Sequence, residues 1–118
     1  MEIKHLIIDS YNVRRNLLGQ KGYDTVHDTL TNAPKVLGMT ATSEPIMWES
    51  NNQKAGFLPT QEGYITIHVY PDMGKCFVDI FSVKEFDSIK ATAYFQLIYG
   101  GTMLKKVKIR GDNHFREE

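Results

Sequence analysis

The stretch Glu62-Gly63-Tyr64-Ile65-Thr66-Ile67-His68-Val69-Tyr70-Pro71-Asp72-Met73-Gly74 decides how the 118-residue chain folds. From Tyr64 to Tyr70, apolar Ile65, Ile67 and Val69 alternate with Tyr64, Thr66, His68 and Tyr70, the period of two expected of a strand with one buried face. Pro71-Asp72-Met73-Gly74 is turn chemistry, and residues 75–83 alternate again, with Cys76, Val78 and Ile80 on one side. Two such strands joined by a tight turn form an antiparallel hairpin, in which partner numbers sum to a constant. Pairing Tyr70 with Lys75 then sets His68 opposite Phe77 and Thr66 opposite Asp79.

One hairpin face therefore carries Ile65, Ile67, Val69, Cys76, Val78 and Ile80, the expected core. The other carries Tyr64, Thr66, His68, Tyr70, Phe77, Asp79 and Phe81. It is too aromatic for an idle solvated face and too polar for a second core, so it suits a ligand site or a subunit interface.

Upstream, residues 3–10 read as a core strand and residues 12–22 as a polar loop with at most one helical turn. From Asp24, an expected N-cap, Val26, Leu30, Ala33 and Leu37 recur at helical spacing, and Pro34 predicts a kink or an early end. Residues 41–49 read as a second strand and 50–54 as a polar turn. Downstream, Asp87 is a candidate cap for a helix in which Ile89, Ala93 and Leu97 share a face and Gly100-Gly101 ends the run. Residues 105–109 make a short last strand, and 111–118 read as a polar tail. Strand, helix, three strands, helix, strand predicts one α+β domain over residues 1–118: a two-layer sandwich, its mainly antiparallel sheet carrying two helices on one face.

Fourteen basic and fourteen acidic residues cancel, and no basic run exceeds two residues, which argues against nucleic acid as a partner. Apolar runs are far too short to span a membrane, and Met1-Glu2-Ile3-Lys4 lacks signal-peptide organisation, so a cytoplasmic location is expected. The lone Cys76 excludes an internal disulfide and, alternating with Val78 and Ile80, reads as a buried structural thiol. The histidines, His5, His27, His68 and His114, have no metal-ligand spacing, and phosphate-loop, nucleophile-elbow and zinc motifs are absent, so no metal is expected.

The Glu62 to Gly74 run, continued by Val78-Asp79-Ile80-Phe81-Ser82-Val83, resembles the signature hairpin of the bacterial and archaeal S-adenosylmethionine decarboxylases, enzymes of polyamine (spermidine) biosynthesis. His5 and Asp9 also fit that family's opening strand. The resemblance implies the family's fold and a self-cleavage that turns the motif's serine into a pyruvoyl group, which forms a Schiff base with the substrate and acts as electron sink. Here that position is Gly63, which has no hydroxyl, so no pyruvoyl cofactor is expected. The family's proton-donor cysteine falls on Val83, and an upstream processing serine on Ala55. Three coordinated losses fit natural divergence; a single engineered change would account for only one.

What the resemblance retains is Glu62, His68, Asp79 and, conservatively, Asp72. If the chain is catalytic, Glu62, His68 and Asp72 are the candidate groups. Trp48, Glu49, Tyr64, Tyr70 and Asp79 are the candidate binders of a sulfonium cation and its adenine, because the family stacks adenine near positions 48 and 49. Family members pair sheet to sheet with the site at the seam, which implies a homodimer or other homo-oligomer through the non-core face. The alternatives are a non-processing homologue that binds S-adenosylmethionine or a relative, alone or as regulator of an active paralogue; an enzyme that cleaves it without pyruvoyl; a decarboxylase using Ser43, Ser50 or Ser82; and a structural oligomer without ligand. For histidine and aspartate alike, a structural role competes with a chemical one.

Overall fold

A computed structural model describes residues 2–17, 20–111 and 114–118, without the side chains of Arg15 and His114. Leu18 and Gly19, in the expected first loop, and Asp112 and Asn113, in the expected tail, lie outside the described residues, as does the side chain of the candidate His114. Described elements follow in the order β1 (Ile3–Tyr11), α1 (Gln20–Leu37), β2 (Ile46–Ser50), β3 (Gln53–Pro59), β4 (Gly63–Tyr70), β5 (Lys75–Ser82), α2 (Ser88–Tyr99), β6 (Thr102–Gly111) and β7 (His114–Glu117). The strands form one sheet in the order β2-β3-β4-β5-β1-β6-β7, with every neighbouring pair antiparallel.

The β4–β5 hairpin has the expected register: Tyr70 faces Lys75, His68 faces Phe77 and Thr66 faces Asp79. Ile65, Ile67, Val69, Cys76, Val78 and Ile80 are all buried in one core with Leu6 and Ile8 of β1 and Val107 and Ile109 of β6. Both helices cover this face, α1 over β3 and β4 and α2 over β1 and β6. Burial of each large aliphatic side chain there contributes roughly 1.5–3 kcal/mol, so the arrangement follows from the strand alternation. At Gly56 the helix comes close enough that a Cβ would meet Leu30 Cδ1 at 2.5 Å and Met47 Sδ at 2.8 Å.

Several boundaries differ from the sequence reading. Helix α1 begins at Gln20, and Asp24 lies in its second turn, accepting a hydrogen bond from the Gln20 amide (2.9 Å) instead of capping. Pro34 is inside the helix, which continues to Leu37; buried Ala33 and Leu37 hold that last turn against the sheet despite the missing N–H. Segment 41–49 holds only an isolated bridge, Ala41 to Thr60, before β2, because Pro45 has no N–H to offer a ladder. Segment 50–54 contains a two-residue turn, Asn51-Asn52, that opens the further strand β3.

Asp87 does cap α2, accepting the Ile89 and Lys90 N–H groups at 3.0 Å, and Gly100 ends the helix with its N–H on the Gln96 carbonyl. The shared face Ile89, Ala93, Leu97, however, points to solvent, with Ile89 72% and Leu97 76% exposed. The helix is turned so that Ala91, Phe95 and Tyr99 enter the core, where two large rings bury more apolar surface than the aliphatic stripe would. The last strand is longer than expected, and the expected tail includes β7, which pairs with β6.

Candidate functional site

Among the described residues no helix covers the second face of the sheet, and register brings its side chains into rows. One row, from edge inward, is Trp48, Ala55, His68, Phe77, Asp9. The next is Phe57, Thr66, Asp79, Ile7, and a third is Tyr64, Phe81, His5, Lys108. In the first row the Trp48 and His68 rings meet edge to face, centroids 5.7 Å apart, although two strand spacings separate their backbones. They meet over Ala55, whose small side chain leaves the space and is itself fully buried on this otherwise uncovered face. The Gln53 amide donates to His68 Nδ1 at 2.8 Å, which leaves the ring proton on Nε2.

A column of stacked planes runs diagonally across these rows. Phe57 and Tyr64 stack at 5.6 Å and Tyr64 and Phe81 at 5.2 Å, the latter pair tilted by only 3°. The Arg110 guanidinium then lies over Phe81 at 5.9 Å and over Phe115 at 5.6 Å. Both faces of Tyr64 are therefore taken by protein rings, and its edge alone can meet a ligand. Trp48, 41% exposed, stays accessible to a ligand.

The candidate residues do not all converge. Trp48, Tyr64, His68, Tyr70 and Asp79 share the uncovered face, with Tyr70 edge to face on Phe77 at 5.9 Å. Glu49 points to the other face, ion-paired with Lys54 at 3.1 Å, since neighbouring residues of a strand alternate. Glu62 sits at the entrance to β4, where its carboxylate accepts the Thr40 N–H at 2.8 Å, and Asp72 is exposed in the short 3-10 turn Pro71–Met73 at the far end. At about 3.3 Å per residue, Glu62 and His68 lie about 20 Å apart along the strand, and Asp72 is beyond it on the other side. These three groups form no common acid–base centre. Among the described residues no hydrogen bond or ion pair reaches the carboxylates of Asp9 or Asp79.

Gly63 lies against the backbone of β5. A Cβ there would stand 2.7 Å from the Phe81 carbonyl carbon and 3.1 Å from its ring Cδ1, with the carbonyl oxygen nearer still. Neighbouring bonds hold this approach: Gly63 N–H donates to Thr60 Oγ1 at 2.8 Å, Thr60 N–H to the Gly63 carbonyl at 2.9 Å, and Val83 N–H to the Glu62 carbonyl at 2.9 Å. The side chain from which a pyruvoyl group derives does not fit this backbone. Of the other serines, Ser82 is buried and its hydroxyl bonds the backbone of Lys84, Ser43 bonds the Glu44 carbonyl, and Ser50 is on the edge strand.

His5, Asp9, Gln53, Phe57, Lys108 and Arg110 belong to this face without having been singled out as its ligands. The alternation of Lys106, Lys108 and Arg110 with Val107 and Ile109 was the available signal, a period-two row of cations. Burial, reinforced by Arg110 and Lys108 and opposed by Asp79, lowers the pKa of His5 from its ordinary value. Among the described residues there is no group of three or more His, Cys, Asp or Glu placed to hold a metal, and no helix long and apolar enough to cross a membrane.

The antiparallel sheet, its two helices on one face and its bare aromatic face define a two-layer α+β sandwich. The chain belongs to the S-adenosylmethionine decarboxylase family, whose sequence model matches residues 4–110. Among solved structures it is similar to the adenosylmethionine decarboxylase from Aquifex aeolicus VF5, with a TM-score of 0.80 over 95% of this chain and 92% of that one; at 20% identity the likeness carries the fold. No curated protein matches the chain in sequence.

Proposed function

We propose that the chain is a non-self-processing member of its family that binds S-adenosylmethionine, or a related adenosyl sulfonium, on the uncovered sheet face without decarboxylating it. The observation that carries this reading is the packing of Gly63 on the Phe81 carbonyl, which supports a chain that stays whole and forms no pyruvoyl group. Trp48 supplies the accessible ring for adenine, and Asp79 with Asp9 supplies unpaired negative charge for the sulfonium. Separation of Glu62, His68 and Asp72 along β4 favours binding over cleavage, since proton transfer needs groups within about 3 Å of one reacting atom. His68, held by Gln53 and Trp48, is a positioning residue for that indole.

The same face carries Ile46, Trp48 and Leu104, exposed at 55%, 41% and 61%. So much exposed apolar surface on one face supports sheet-to-sheet pairing of two copies, with the ligand at the seam. A cytoplasmic location goes with this reading.

Two measurements test it. Denaturing mass spectrometry is expected to show one species at 13.5 kDa; two fragments divided before residue 63 would defeat the non-processing claim. Calorimetry is expected to give a saturating heat with S-adenosylmethionine that Trp48→Ala weakens about fivefold or more, as loss of a stacking contact worth about 1–3 kcal/mol requires. Absence of heat in the unmodified chain would leave a purely structural role.

A further inference from the structure

A second feature of the sheet lies at its other edge, four strands from Trp48. A cleft of about 380 Å³ opens between β1, β6 and β7, lined by His5, Lys108, Arg110, Phe115, Arg116 and Glu117. Its volume is within the range of small-ligand pockets. Two of its charges are already matched within the fold: Arg116 pairs with Glu2, and Glu117 with Lys106 at 3.5 Å. Lys108 and Arg110 have no carboxylate partner among the described residues.

Arg110 is also held in place. Its guanidinium lies over the rings of both Phe81 and Phe115, at 5.9 and 5.6 Å, contacts that restrain it but neutralise none of its charge. An arginine so ordered has already lost much of the side-chain freedom that binding an anion would otherwise cost, and its planar fork matches a phosphate or carboxylate. Among the described residues His5 Nε2 is buried and without a hydrogen-bond partner, a costly arrangement for a polar nitrogen. Phe115, 74% exposed, adds an open apolar surface to the same cleft.

We infer that the β1–β6–β7 cleft is an oxyanion site that takes the phosphate or carboxylate head of a small ligand with a flat apolar body. Arg110 and Lys108 hold the head, Nε2 of His5 donates to one of its oxygens, and the body lies along Phe115. The site shares neither Trp48 nor Asp79 with the adenosyl reading and stands whether or not that reading does. An anion seated beside His5 also favours the imidazolium, so occupancy raises the histidine's pKa.

The test is a nuclear magnetic resonance titration of the whole chain with phenyl phosphate and, separately, with benzoate. Saturating shifts at the Arg110 guanidinium, the His5 ring and Phe115 are expected, with an upward shift of the His5 titration midpoint; the tighter of the two probes identifies the head group. Arg110→Met and Lys108→Met, each checked for an unchanged fold by amide dispersion, are each expected to weaken the tighter probe at least tenfold, and Trp48→Ala to leave it unchanged. Non-saturating shifts with both probes, or equal affinity in folded Arg110→Met, would overturn the site.

Discussion

Gly63 and the Phe81 carbonyl are packed so closely that a Cβ on residue 63 would stand 2.7 Å from the carbonyl carbon. This contact lies at the position where the resemblance demands a serine, and the opposing atoms are backbone, which cannot swing aside as a side chain would.

Restoring the serine therefore does not restore the chemistry. Gly63→Ser is expected to lose about 1–3 kcal/mol of stability, as overpacked sites do, and to remain one uncleaved chain. Urea denaturation and denaturing mass spectrometry check the two halves of this expectation; an equally stable variant would show that the strand entrance can open.

The orientation of α2 gives a second expectation. Phe95→Ala removes a fully buried ring and should cost about 3–5 kcal/mol. Leu97→Ala, on the exposed face, should change stability by no more than about 0.5 kcal/mol. Comparing the two unfolding midpoints decides between this orientation and the Ile89, Ala93, Leu97 stripe as the buried one.

Stability should depend on the protonation of His5. Its pKa is below the ordinary 6.5 in the folded chain, mainly by burial, with Arg110 and Lys108 acting in the same direction and Asp79 against it. The unfolded chain therefore binds the proton first as pH falls. Stability is full above about 6.5 and declines as pH drops through the lowered value. Denaturation midpoints at about pH 5 and about pH 8 should converge in His5→Gln relative to the unmodified protein; an unchanged difference would assign the slope to other groups.

Cys76 should be inert in the native state. It is fully buried, and burial pushes its thiol pKa far above the ordinary value, so the reactive thiolate is scarce and unreachable. A thiol reagent is expected to label it only after denaturant is added, and rapid native labelling would contradict the placement of β5.

Much of this fold was legible where one chemical pattern dominated. The β4–β5 register followed from strict alternation about Pro71-Asp72-Met73-Gly74, and the Asp87 cap from a polar residue ahead of an apolar run. Strand β3 was hidden because Gly56 and Pro59 interrupt its pattern, while Gly56 in fact serves the close approach of α1. Strand β7, four mostly polar residues, carries no core pattern and exists through its pairing with β6. On α2, two stripes share the same spacing, and only three-dimensional packing decides that Phe95 and Tyr99 win.

For the candidate site, the sequence placed His68 and Asp79 on one face and offered Trp48 as a candidate binder, but it could not show the neighbours that define them. That Ala55 lets Trp48 reach His68, that Tyr64 is enclosed by Phe57 and Phe81, and that Glu49 points away all depend on strand order, which no local motif encodes. The cations of β6 join the face for the same reason: β6 pairs with β1, far away in sequence.

The central claim is binding without turnover, and incubation of S-adenosylmethionine with the intact protein, followed by chromatography of the ligand and assay of released carbon dioxide, tests it most directly. The expected result is ligand recovered unchanged, with neither carbon dioxide nor methylthioadenosine above the protein-free control. Carbon dioxide release would contradict the loss of decarboxylation, and methylthioadenosine without carbon dioxide would replace the binding reading with a pyruvoyl-independent cleavage of the sulfonium.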